Sequence, residues 1–372
     1  MLNIAHIYWA KNGNWGDIAL GRATQELFRH NIPNVTFATL PVSFLNKCWS
    51  DKTAYAEYDF AQAIDYINQC DCLLIGGGGM MLWFLVFAKR TNQLKDIKVP
   101  IIVYGIGLNI FYRPGEDTQY MRQPSHYIQK LIDRCDFFSV RNDGTAKIIQ
   151  DEHNITIPES PPPCLWIKDY YTIDQQHVGS IAKRDKPYII IAPAMDLKSV
   201  RGTYGNIQTT QLLKKYGAIA RQLSKHYTVI AACHRVHDSG QLLDTESYID
   251  VTLATRQRSV SRAYKLNTGL ALYQNALAVV AMRGHSQIIP TSYGVPFVSF
   301  ATQDKITQFA HQVGMGRYCY SCGVPGLPAK IVDDILTFRH NRRALTLHLQ
   351  NYKKSQHPIM QNDFQQILKV LS

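Results

Sequence analysis

Arg283 and His285 stand one residue apart in Met282-Arg283-Gly284-His285-Ser286, directly after an apolar run. A guanidinium there neutralises an anion through its planar fork, and an imidazole titrates close enough to neutral pH to move a proton. Tyr293-Gly294-Val295-Pro296 and then Asp304-Lys305 follow, adding a further cation. Near the start of the chain, Gly13-Asn14-Trp15-Gly16-Asp17 joins an apolar run to an amphipathic stretch. Its glycines permit a tight turn and close approach of backbone to ligand. Asp17 is either an acid or base, or the residue that caps the following helix. With Asp17 as the cap, Asn14 has no capping duty and is expected to contact a ligand. Cys233-His234-Arg235-Val236-His237-Asp238 offers two histidines and an aspartate. A metal site there lacks a third fixed ligand, so a hydrogen-bonding or acid/base role for His234 is the better expectation.

Three further places follow apolar runs. Gly76-Gly77-Gly78-Gly79 carries a large entropic cost on folding. That cost is intelligible where backbone N–H groups of Gly77 and Gly78 line a ligand site; the other reading is a flexible turn. No Gly-Lys-Ser/Thr follows, so this is not a Walker loop. Gly105-Ile106-Gly107 repeats the logic without the third spaced glycine of a dinucleotide fingerprint. Arg141, in Val140-Arg141-Asn142-Asp143, either binds an anion or pairs with Asp143 or Asp136. Cys319 and Cys322 have half the spacing of a zinc or redox site, but no second pair matches and Cys70-x-Cys72 reads as part of a strand. Ordinary thiols are expected.

The elements that position these residues alternate. Strands are predicted at 4–9, 35–40, 72–75, 101–104 and 137–140, with helices at 18–29, 59–69, 127–134 and 144–150. Pro161-Pro162-Pro163 breaks the pattern. It restarts with strands at 188–192, 228–232, 278–282 and 297–300, helices at 208–226, 270–275, 285–292 and 302–313, and a helical tail from residue 329. Near-continuous apolar strands alternating with helices imply parallel sheets covered on both faces. The expectation is two α/β domains, at 1–172 and 173–372, with a cleft between them. In such folds ligands bind beyond the carboxyl ends of the strands, where the residues above fall.

Composition bounds the rest. The chain has 372 residues, 46% hydrophobic and 18% charged, which is ample for packed cores and excludes global disorder. Its formal charge of +12 points to anionic partners. The basic residues are scattered, as at Lys214-Lys215, Arg256-x-Arg258, Arg342-Arg343 and Lys353-Lys354, without a nucleic-acid-binding motif. Eight cysteines do not make a disulfide scaffold, and no secretory signal or membrane-length apolar run is seen. A cytoplasmic protein is expected.

Taken in order, these motifs resemble the polysaccharide pyruvyl transferase family. The match runs over about residues 3–315: Gly13 to Asp17, the glycine run 76–79, Gly105-x-Gly107, Val140-Arg141, Arg283-Gly284-His285, Tyr293 to Pro296, and Lys305. The resemblance implies two Rossmann-like domains in a glycosyltransferase-B-like arrangement with an interdomain cleft. It implies transfer of pyruvate from phosphoenolpyruvate onto two hydroxyls of a sugar, as a ketal, with no metal or cofactor required. In many members the acceptor is lipid-linked at the inner face of the cytoplasmic membrane, so peripheral contact with that face is implied, and nucleic acid is not. The chain departs from the family's Arg-Leu-His at Gly284 and from its Arg-Asp at Asn142. The family's arginine after the first strand of the second domain is missing near Ala194-Met195-Asp196, and Arg201 is the expected substitute.

On this reading Arg283, with Arg141 or Arg201, binds the donor's carboxylate and phosphate. His285 is expected to protonate the enol carbon, and Asp17 or His234 to activate the hydroxyl. The competing expectation is a glycosyltransferase using a nucleotide sugar on the same fold.

Overall fold

The computed structural model describes residues 1–9, 14–41, 60–81, 95–108, 125–183, 187–195, 201–202, 204–239, 247–253 and 261–372. Gly13, Cys48, Asp59, residues 82–88, Asp196, Arg256 and Arg258 fall outside them.

The apolar runs form two six-stranded sheets, and every strand pair given for them is parallel. The first holds β1 (Leu2–Tyr8), β2 (Val35–Pro41), β3 (Cys72–Gly76), β4 (Ile101–Ile106), β5 (Phe137–Arg141) and β6 (Glu159–Ser160), in the order β2-β1-β3-β4-β5-β6. The second holds β7 (Tyr188–Ala192), β8 (Thr228–Cys233), β9 (Ile249–Thr252), β10 (Ala278–Ala281), β11 (Phe297–Ala301) and β12 (Cys319–Ser321), in the order β12-β11-β10-β7-β8-β9. Alternation along β1 and β3 explains the double burial. Ile4, Cys72 and Leu74 enter one apolar cluster, while Ala5, Ile7, Leu73 and Ile75 enter another on the opposite face.

Each sheet reverses its winding once, between β1 and β3 and between β7 and β10. Chains leave such a switch point in opposite directions, which opens a crevice at the strand ends. The helices that follow these strands are α1 (Trp15–Asn31), α2 (Phe60–Ile67), α3 (Ser125–Arg134), α4 (Thr145–His153), α5 (Thr209–Leu223), α6 (Ser261–Asn275), α7 (His285–Tyr293), α8 (Asp304–Gln312) and α9 (Leu327–Leu371).

The structure corrects several expectations. The short edge strands β6, β9 and β12 had no sequence signal, and α6 begins at Ser261 rather than near residue 270. Cys70 precedes β3 instead of belonging to it. The tail is a single 45-residue helix, about 67 Å long at 1.5 Å per residue. It packs against β10 and β11 of the second sheet and also reaches β5 and β6 of the first. Phe364 there stacks edge-on against Phe28, with ring centroids 4.9 Å apart. Among the described residues no helix is long and apolar enough to cross a membrane.

Candidate functional site

Eight side chains and two glycine loops predicted to do chemistry sit at strand ends on the two sides of one cleft. The first sheet supplies Asn14 and Asp17 after β1, Gly77 and Gly78 after β3, Gly107 after β4, and Arg141 ending β5. The second supplies Arg201 after β7, His234 after β8, Arg283 and His285 after β10, and Lys305 after β11.

The two sides are fastened by Trp15. Its backbone N–H donates to the His234 carbonyl at 2.9 Å and its indole N–H to the Lys265 carbonyl at 3.0 Å. The ring stacks on Tyr273 at 5.6 Å and meets the His234 ring edge-on at 4.9 Å. Gly269 admits it, because a Cβ there would come within 2.3 Å of the indole. Thus the residue between Asn14 and Gly16 carries the first sheet's loop into the second sheet's core.

Capping falls to Asn14, not Asp17. The Asn14 side chain accepts from the Gly16 N–H at 3.1 Å, while Asp17 occupies the first turn of α1. Freed of that duty, the half-buried Asp17 places a carboxylate oxygen 3.8 Å from Nδ1 of His285. Gly16 makes this approach possible: a Cβ there would be 2.5 Å from the same Nδ1. The glycine therefore serves the histidine opposite rather than a turn.

The glycine loops interlock. Gly77 and Gly78 have φ of +82° and +79°, conformations that side chains rarely adopt. The Gly77 N–H donates to the Tyr104 carbonyl and the Gly107 N–H to the Gly78 carbonyl at 2.7 Å. These two N–H groups bond within the fold and not toward the cleft. A Cβ on Gly107 would also meet the Arg141 guanidinium at 2.6 Å, so this glycine gives the arginine its room.

Two of the site's arginines, Arg141 and Arg283, are each held by a carboxylate. Asp143 pairs with Arg141, as one of the sequence readings had it, and takes a further 2.6 Å bond from Thr145. Asp238 grips Arg283 through Nε at 3.0 Å and Nη2 at 2.7 Å, and Arg283 Nε also reaches the Pro193 carbonyl. Asp238 is fully buried and accepts the backbone N–H groups of Met195 and Arg235 as well. Sequence reasoning missed this role. Forty-five residues separate the partners, and only the fold joins them. The histidine pair is likewise dispersed: His234 is buried with Nε2 2.8 Å from the Tyr273 hydroxyl, while His237 is exposed. Among the described residues no three metal-ligating side chains gather. Arg201 is buried, 3.3 Å from the Thr302 hydroxyl. Cys322 is a buried thiol bonded to the Arg201 carbonyl, and Cys319 starts β12.

The cations meet around His285. Burial first, then Arg141, Lys305, His234 and Arg283, push its pKa well below the usual imidazole value. Among the described residues its buried Nε2 has no hydrogen-bond partner. Burial and then Arg141 draw the half-buried Lys305 amine down to about 7; Arg201 adds to this, and Asp143 and Asp17 oppose it. Cations crowded in a poorly solvated cleft have the charge to suit a multiply charged anion. Beside them stand a titratable imidazole and a carboxylate, the parts needed to deliver one proton and remove another.

Comparison with known proteins agrees with this architecture. A family model described as polysaccharide pyruvyl transferase matches residues 14–304. No curated protein matches by sequence. Among solved structures, the S. aureus MnaA–UDP complex is 10% identical, with TM-score 0.54, covering 94% of this chain and 91% of its own. A UDP-forming alpha,alpha-trehalose-phosphate synthase from Burkholderia vietnamiensis is 10% identical, with TM-score 0.53, covering 100% and 96%. At such identity these show the fold: two Rossmann-like sheets in a glycosyltransferase-B-like arrangement.

Proposed function

The chain belongs to the polysaccharide pyruvyl transferase family, and from that premise we propose that it transfers pyruvate from phosphoenolpyruvate onto two hydroxyls of a saccharide. The observation that supports this reading best is the ring of Arg141, Arg283 and Lys305 around a buried imidazole with an unpartnered Nε2. Phosphoenolpyruvate carries its phosphate, through oxygen, and its carboxylate on the same carbon. Arg283, preset by Asp238, takes one of these groups, and Arg141, Arg201 and Lys305 take the other.

The donor's negative charge then raises the proton affinity of His285, which burial and the surrounding cations hold down. Protonated His285 gives its proton to the methylene carbon of the enol. That carbon becomes a methyl group, and the adjacent carbon becomes an oxocarbenium-like centre. A sugar hydroxyl attacks this centre and yields its proton to Asp17. His234 is the weaker candidate base, because its Nε2 is engaged by the Tyr273 hydroxyl. The C–O bond to phosphate breaks, and hydrogen phosphate leaves with one of the released protons. The second hydroxyl attacks the same carbon and returns its proton to His285, restoring the acid and closing the ketal. We assign no metal or cofactor to these steps. The saccharide is the second partner, lipid-linked on this reading and met at the inner face of the cytoplasmic membrane; the charge of +12 is compatible with such a surface.

Running the reaction in D2O tests the proposal, with phosphoenolpyruvate and a panel of saccharides. One deuterium should enter the methyl group of the ketal as phosphate is released. His285→Ala should lower turnover far more than donor affinity. An unchanged rate in that variant would remove His285 from the mechanism.

A further inference from the structure

A second basic site lies at the other end of α7. Ser292, in the last turn of that helix, is about 10 Å along the axis from His285. It borders a cavity of about 560 Å³ between residues 166–170 and the middle of α9. Cavities of this size hold small ligands. Lys168, Lys353, Lys354 and His357 line it, against the single carboxylate of Asp169.

The walls are fixed. The Lys168 backbone N–H bonds the Ser292 hydroxyl at 3.2 Å. Lys353 is anchored by an ion pair to Asp169. The Tyr170 ring in the wall stacks on His30 with centroids 4.0 Å apart. Trp166 also lines the cavity and is buried. Asp169 is the one carboxylate among the described lining residues, set against three lysines. Burial lowers the proton affinity of the half-buried Lys353, its bond to and pairing with Asp169 raise it, and repulsion from Lys168 lowers it again. An anion in the cavity relieves that repulsion. Ammonium groups act as compact point charges, which suits the spherical charge of a phosphoryl group.

We propose that this cavity binds the phosphoryl group of a phosphorylated ligand, between Lys168, Lys353, Lys354 and His357, separately from the Arg283–His285 cleft. Such a ligand joins the segment connecting the two sheets to the helix that spans them. The inference does not depend on the donor assignment.

Amine acylation of the full-length protein, read by mass spectrometry at each lysine, tests it with pyrophosphate as the probe. Pyrophosphate is expected to slow modification of Lys168 and Lys354 at least fivefold and to leave the exposed Lys225 and Lys369 unchanged. Vesicles of phosphatidylcholine with and without phosphatidic acid form the second arm. Protection by free pyrophosphate marks a soluble ligand, and protection only by phosphatidic acid marks a lipid headgroup; both support the phosphoryl site. Protection by neither probe, or equal protection of all lysines, overturns it. Calorimetry should show pyrophosphate binding weakened at least tenfold in Lys168→Ala/Lys354→Ala, whose positions are exposed, and tightened at least threefold in Asp169→Asn. Unchanged affinity in the double variant overturns the proposal as well.

Discussion

Burial, with the cations that surround it, keeps His285 neutral, so an anionic donor must bring a proton with it or take one up. Calorimetry in buffers of different ionisation enthalpy should therefore show net proton uptake when phosphoenolpyruvate binds near pH 7.5. Lys305 contributes to the same linkage. With its pKa near 7, it loses charge as pH rises through that value, and donor affinity should fall across pH 7 to 9. Pairing with the donor also raises the Lys305 pKa, so the fall is gradual. The stability effect has the opposite sign. Between about 7 and the ordinary 10.5, the unfolded chain binds this proton and the folded chain does not, so Lys305 makes stability rise with pH across that window. Lys305→Met should melt at a higher temperature than the wild type near pH 7, without that rise, while losing turnover. Asp238 differs in kind, since it touches Arg283 and not the donor. Losing one partner of a buried ion pair costs about 3–5 kcal/mol. Asp238→Asn should both lower the melting temperature and raise the donor KM, measured by thermal melts and initial rates.

The loop between β1 and α1 shows how elements place these groups. Gly16→Ala would set a methyl 2.5 Å from the His285 ring and push it aside. A displacement of about 1 Å can cost about 100-fold in rate. The variant is expected to keep its fold by circular dichroism and to lose kcat by about that factor. Sequence reading located this loop and its helix but assigned the cap to Asp17, because only the spacing of Asn14 to the Gly16 N–H in three dimensions reveals the true cap. The central strands were legible because each is a short apolar run, buried on both faces and bounded by breakers. β6, β9 and β12 were not, being two to four residues long at or near sheet edges with mixed side chains. Among the site residues, Arg283, His285, Arg141 and Lys305 could be found because each lies at or just beyond the end of a strand. The partners that fix them are less visible: Asp238 lies 45 residues from Arg283 in sequence, and Trp15 serves a helix 250 residues away.

At the scale of the whole molecule, α9 ties the second sheet back to the first. Phe364 fills the contact with Phe28 and Tyr104, and Asp363 accepts from Ser160 at 2.7 Å. Phe364→Ala should destabilise by about 3–5 kcal/mol in denaturant melts, through the cavity left in that joint. The cleft depends on this joint, because its two walls come from different sheets. On the proposed function the cleft is built for a donor that carries both a phosphate and a carboxylate. Thermal unfolding with phosphoenolpyruvate, beside a panel of nucleotide sugars, tests that claim most directly. A ligand of the folded state adds about 2.7 kcal/mol at 100 times its dissociation constant. Stabilisation by phosphoenolpyruvate is expected, and it should disappear in Arg283→Ala. Stabilisation by a nucleotide sugar alone would contradict it and make the protein a glycosyltransferase.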